Sequence, residues 1–130
     1  MLRNGVHKIW YALVKTLAQV LFVCLFRVRA FGWCNVPKRG GAVLASNHQS
    51  YLDPAIIAAC VRREIHFMAR DSLFEIPVFG SLIRSLNAFP VKREGIDREA
   101  IREAVRRISA GGLVVIFPEG TRHDSGALAR

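Results

Sequence analysis

The sequence predicts an α/β fold, a mixed sheet with covering helices, preceded by an N-terminal membrane-associated helix. Three features carry that prediction. Ile9 to Phe26 is strongly apolar; short apolar runs alternate with helical patterns from Ala42 onward; and Leu113 to Phe117 is a near-continuous apolar run, the mark of a strand buried on both faces. With 130 residues, 52% of them hydrophobic, the chain has the apolar surface for one small packed domain, which excludes a disordered tail. Nineteen Lys and Arg against ten Asp and Glu give a net charge of +9, which favours an anionic partner: nucleic acid, an anionic membrane surface or a phosphorylated substrate. Cys24, Cys34 and Cys60 have neither metal-site spacing nor an even count, so they read as reduced thiols.

The first element is a helix. The ten Ile, Val, Leu and Phe residues between positions 9 and 26 favour insertion by roughly 3 to 6 kcal/mol, whereas a central Lys15 opposes it by about 2.5 to 3.5 and Gln19 adds to that cost. Lys8, Lys15 and Gln19 share a narrow helical stripe, and Leu13, Leu17, Val20 and Phe22 occupy the wide remainder, which favours a helix lying in the membrane interface over one spanning it. Basic residues flank both ends, and Trp10 and Tyr11 suit a headgroup boundary. A buried core helix is the alternative for a segment of this length.

Gly32, Pro37 and Gly40-Gly41 mark a linker. Ala42 to Ser46 reads as a buried strand delivering Asn47 and His48 to its carboxyl end. Asp53 as N-cap with Pro54 at the first helical position opens a helix that Ala55 to Arg63 continue. Ile65 to Ala69 is a second strand, Val78 to Leu86 a helix, and Ala88 to Val91 a third strand. Ala100, Ile101, Ala104, Val105 and Ile108 place the apolar face of a helix from Asp97 to Ala110, which Gly111-Gly112 ends before the last strand. In such a layered fold the loops at strand carboxyl ends hold the ligand.

His48 and Asp53 lie five apart across one of those loops. A neutral imidazole can take a proton from an alcohol, and a carboxylate on its other nitrogen fixes the tautomer and stabilises the imidazolium. Spacing alone equally accommodates an N-capping aspartate beside a polar turn histidine. Ser50 has no nucleophile elbow around it and reads as a turn serine bonding local backbone.

Three further stretches bear on the choice. Phe117-Pro118-Glu119-Gly120-Thr121-Arg122, together with the histidine-aspartate element, resembles the signature of the 1-acylglycerol-3-phosphate acyltransferase family of glycerolipid acyltransferases. Phe67 to Gly80 also resembles that family, which often has lysine where Arg70 stands, and Asn87 to Arg93 resembles its second block, which usually opens with glycine rather than Asn87. Asparagine tolerates the left-handed backbone better than most residues, so that turn is expected to survive.

The resemblance implies transfer of a fatty acyl group to the sn-2 hydroxyl of 1-acylglycerol 3-phosphate, giving phosphatidic acid, with acyl-CoA or acyl-carrier protein as co-substrate and no cofactor or metal. His48 is then the general base and Asp53 its orienting carboxylate. Arg93 and Arg122 hold the acceptor phosphate, for which paired guanidinium donors are well suited. Glu119, Gly120 and Thr121 complete the acceptor pocket, Glu119 also being able to pair with Arg122. The implied partners are membrane lipid, lysophosphatidate and the acyl donor, at the cytoplasmic face of the inner membrane. Nucleic acid is not expected, because aromatic residues interleave sparsely with the basic ones and no nucleic-acid motif is present. Residues 1–30 form the membrane-associated segment and residues 31–130 the acyltransferase domain, which is expected to be incomplete at its carboxyl end because family members are longer. The alternatives are an acyltransferase for glycerol 3-phosphate or another lysolipid, and an inactive membrane-binding fragment.

Overall fold

A computed structural model describes residues 5–92 and 95–118. Helix α1 (Gly5–Phe26) is followed by a short 3-10 turn at Trp33–Asn35, strand β1 (Ala42–Ala45), helix α2 (Asp53–Cys60) and strand β2 (Ile65–Arg70). A second 3-10 turn at Asp71–Phe74 leads to α3 (Phe79–Ser85), β3 (Ala88–Val91), α4 (Arg98–Ser109) and β4 (Leu113–Ile116). The strands form one sheet in the order β1-β4-β2-β3. Every pairing among these strands is parallel, so the α/β class holds while the described sheet is parallel where a mixed one was expected.

Strand β4 is central because its side chains are apolar on both faces. Leu113 and Val115 join Val61 and Ile65 in one core cluster, with Ile57 and Ala58 of α2 packed against it; Val114 joins Phe89 and Ala104 of α4 in the other. Ile65, Val114 and Val115 are fully buried. The period-2 alternation of β4 thus assigns successive residues to α2 and α4 in turn.

Helix α4 departs from the expected face. Ala100 and Ala104 are buried, but Ile101 and Val105 are about half exposed, at 50% and 56%. The helix seats Ala100, Ala104 and Ile108 against the sheet and leaves Ile101 and Val105 partly exposed. At its amino end Asp97, read from sequence as the first helical residue, is the N-cap, its Oδ1 accepting from Glu99 and Ala100 N–H.

At the amino-terminal edge of the sheet, Arg107 of α4 ties three elements together. It donates to the Asn87 carbonyl (2.7 Å), His66 Nδ1 (2.9 Å) and Glu103 Oε1 (2.6 Å), and its guanidinium lies over the Phe89 ring. Asn87 adopts φ 70, so the left-handed turn before β3 survives without glycine. The hydrogen bond from Arg106 to Glu103 outweighs partial desolvation and, with Arg107, lowers the Glu103 carboxyl to about 2.

Helix α1 docks on the domain by its polar stripe. Lys15 Nζ donates to the carbonyls of Val61 and Arg63, and Gln19 donates to the Ala59 carbonyl at 2.7 Å. These carbonyls lie at and just beyond the end of α2, where the last turn leaves acceptors without intrahelical partners. Tyr11 is buried rather than at a headgroup boundary, and its hydroxyl accepts the Ile65 N–H at 3.0 Å. Trp10 donates to Ser85 Oγ, joining α1 to α3.

Replacing Ile65 by alanine is expected to cost about 2–5 kcal/mol in a denaturant titration, because a fully buried side chain leaves a cavity. Ile101→Ser, at a half-exposed site, is expected to stay within about 0.5 kcal/mol; equal losses would contradict the assigned core. For Glu103, a folded-state pKa below the unfolded value means stabilisation complete above the ordinary glutamate range and lost as pH falls through about 2. A carboxyl NMR titration checks this: a midpoint at the ordinary 4.5 would show that the arginine pair does not hold it.

Candidate active site

Parallel strands align their carboxyl ends, so the segments following β1 and β4 emerge side by side, with Ala45 in register with Ile116. His48 follows β1 and Phe117 follows β4. Their rings stack at a centroid separation of 4.2 Å and an interplanar angle of 25°. The stack sets the plane of the imidazole from one side, and Asp53 sets its rotation from another.

His48 Nδ1 lies 2.9 Å from Asp53 Oδ2. The same oxygen accepts the backbone N–H groups of Gln49 (2.7 Å) and Ser50 (2.8 Å). Asp53 is therefore not the N-cap expected from sequence. It is already the first residue of α2, Leu52 being the cap position, and its carboxylate reaches back to the loop before it. Pro54 keeps the expected place at the start of the helix. Ser50 has the local role assigned to it, its Oγ accepting the Leu52 N–H at 3.1 Å.

Partial burial pushes the Asp53 carboxyl up, but the hydrogen bonds from Ser50, His48 and Gln49 more than offset this and hold it below the ordinary aspartate range. An ionised carboxylate is an acceptor only, so the proton in the His48–Asp53 bond resides on Nδ1. In the neutral imidazole, Nε2 is then the nitrogen with a lone pair available to a substrate proton.

His48 lines a cavity of about 600 Å³ enclosed by α1, α2, α3 and β2. That volume falls within the roughly 300–1,000 Å³ typical of small-ligand sites. Its wall is largely apolar, including Val14, Ala58, Phe67, Leu73 and Ile83, with Lys15 and Arg70 among its few charged members. A separate hollow of about 170 Å³ touches Asp53 but not His48.

Among the sequence-predicted site residues, the structure brings His48 and Asp53 together. Arg93, Glu119, Gly120, Thr121 and Arg122 lie outside the described residues. Sequence reasoning did not assign Phe117 a place beside the histidine, nor α1 a wall of the cavity. The stack depends on β1 and β4 being neighbours, which no local pattern reveals; the polar stripe of α1 was the available sign that this helix faces something other than lipid alone.

A family model described as Acyltransferase matches residues 27–130. The chain is 32% identical over 96 residues to a 1-acyl-sn-glycerol-3-phosphate acyltransferase of Bacillus subtilis, covering 73% of this chain and 48% of that protein. It is 27% identical over 125 residues to a chloroplastic protein of that name from Arabidopsis thaliana, covering 94% of this chain and 35% of the relative. The crystal structure of the 1-acyl-sn-glycerophosphate acyltransferase PlsC from Thermotoga maritima superposes with a TM-score of 0.79 at 30% identity, covering 99% of this chain and 53% of that one. The chain thus spans about half the length of the Bacillus and Thermotoga relatives. On the match over residues 27–130 and the shared fold, the chain belongs to the acyltransferase family.

Proposed function

We propose that this chain carries the acyl-transfer site of a 1-acylglycerol-3-phosphate acyltransferase. The observation that carries this reading is a histidine whose Nδ1 is engaged by an ionised aspartate at the wall of an apolar cavity. Relatives named for the same reaction support it. His48 Nε2 takes the proton of the acceptor sn-2 hydroxyl as that oxygen attacks the thioester carbonyl of acyl-CoA or acyl-carrier protein. The tetrahedral intermediate collapses by breaking the carbon–sulfur bond, and the thiolate leaves with the proton returned from His48. Asp53 stabilises the transient imidazolium through Nδ1. No acyl-enzyme is formed and no cofactor takes part.

The apolar cavity suits a fatty chain, since each methylene moved out of water contributes about 0.8 kcal/mol. Arg93 and Arg122 are assigned to the acceptor phosphate and Glu119, Gly120 and Thr121 to the rest of its pocket, on the strength of their motif positions.

Membrane association is supported by the apolar α1 and by relatives named 1-acyl-sn-glycerol-3-phosphate acyltransferase, whose named acceptor is a lysophospholipid. Its outward residues Ile9, Leu13, Leu17 and Val20 are exposed by 55–69%, while Lys15 and Gln19 are satisfied by backbone carbonyls near the end of α2. The charge that opposes insertion in the bare sequence is thus turned toward protein, and we assign α1 an in-plane position on the cytoplasmic face of the inner membrane. Residues 1–30 are its membrane-associated segment and residues 31–130 the acyltransferase domain.

Acceptor-dependent thiol release from acyl-CoA, measured with lysophosphatidate in detergent micelles, tests the reading. His48→Ala is expected to lower turnover by about 10²–10⁴-fold while the protein still unfolds cooperatively in a thermal melt. Asp53→Asn is expected to lower both turnover and melting temperature, because three donors lose their anionic acceptor. Full activity in His48→Ala would remove the proposed base. Faster turnover on glycerol 3-phosphate than on lysophosphatidate would replace the proposed acceptor.

A further inference from the structure

The turn between the second 3-10 segment and α3 has no part in the dyad, yet it combines a positive φ at a β-branched residue with exposed apolar side chains. Val78 sits at φ 64, ψ −52, and the Phe79 N–H bonds to the Pro77 carbonyl at 2.7 Å across it. This is a γ-turn with a β-branched residue at its centre, a conformation such residues rarely adopt. The surroundings hold it in place. Gly80 N–H bonds to the Ile76 carbonyl and Leu82 N–H to the Val78 carbonyl, and a Cβ at Gly80 would collide with the Phe74 carbonyl. The strained turn directs its side chain outward: Val78 is 83% exposed and Ile76 47%.

The location gives that exposure a direction. Tyr51, Leu52, Phe79 and Leu82 line the cavity and are themselves exposed, so they mark its mouth, and the turn adjoins that mouth through Phe79. Helix α3 is also tied to α1, by Trp10 to Ser85 Oγ and His7 to the Ser85 carbonyl, so the mouth and the outward apolar side of α1 belong to one packed body. Arg70 at the cavity and Arg84 on α3, whose guanidinium lies over the Phe74 ring, are exposed cations near this surface, while Asp71 adjoins Arg70 and Glu75 precedes Ile76 directly. Cations near an apolar rim match anionic headgroups above hydrocarbon, and the flanking carboxylate limits insertion to interfacial depth.

We propose that the Ile76–Phe79 turn is a second membrane-seating element that, with α1, holds the cavity mouth against the bilayer so that an acyl chain passes between lipid and cavity without crossing water. The proposal rests on the acyl-transfer reading for the identity of the cargo, but the seating itself does not. A strained, fixed turn serves this purpose better than a mobile one because Val78 is presented to lipid without an ordering cost on binding.

The test places tryptophan at the turn. In a Trp10→Phe, Trp33→Phe background, Val78→Trp is mixed with vesicles of phosphatidylcholine and phosphatidylglycerol carrying brominated acyl chains. A blue-shifted emission that the bromines quench is expected; emission unchanged while the protein cosediments with the vesicles, or no cosedimentation at all, would overturn the proposal. Val78→Asp is expected to weaken vesicle partitioning by about tenfold or more, and Val78→Gly, which relaxes the positive φ, to weaken it without lowering the melting temperature. Val78→Asp should also slow transfer to long-chain lysophosphatidate in vesicles while leaving transfer to a water-soluble short-chain acceptor unchanged; equal slowing of both would contradict the seating role. Absence of transfer to either acceptor in the parent chain would refute the acyl-transfer reading alone, with the fluorescence result still deciding the seating.

Discussion

Asp53 Oδ2 accepts three donors, two from the backbone of the preceding loop and one from His48, and the arrangement of the loop between β1 and α2 depends on that atom. The backbone bonds fold residues 49–53 into a tight turn against the start of α2. The third bond orients the imidazole. Because the same contacts hold the carboxylate ionised, they also decide which ring nitrogen carries the proton. Folding and chemistry are coupled here at the level of a single oxygen.

The parallel sheet supplies the second constraint. All described strands deliver their carboxyl ends to one edge, where the β1 and β4 loops become neighbours and Phe117 closes over His48. The opposite edge is stabilised independently by Arg107, which reaches across α4, β2 and the turn before β3. This division leaves the ligand edge free to be shaped by loops, while the amino-terminal edge carries much of the polar cross-linking between elements. Helix α1 then completes the cavity by giving up its polar stripe to the end of α2.

Much of this was legible locally. The Leu113 to Phe117 run announced a strand buried on both faces, and the structure splits its residues between two core clusters. The Asn87 turn kept its left-handed backbone, because that is a short-range preference. What sequence could not show was set by contacts far apart in the chain. Tyr11 reaches Ile65 and Lys15 reaches Val61 across 54 and 46 residues, so an apparent headgroup aromatic became a core residue, and the lysine of the polar stripe became a donor to backbone carbonyls. Asp53 was misplaced as an N-cap because the local pattern Asp-Pro is the same whether the carboxylate bonds forward into the helix or backward into the loop. Ile101 and Val105 fit the helical period yet remain exposed, since periodicity reports that a face is apolar and not that something covers all of it.

The most direct test of the account is the tautomer of His48, read by long-range nitrogen–proton NMR correlations on selectively labelled protein in its neutral-imidazole form. The account predicts a proton on Nδ1, held by Asp53, and a bare Nε2, with that pattern lost in Asp53→Asn. A proton on Nε2 in the unaltered protein would contradict it, because the nitrogen required to accept the substrate proton would already be occupied.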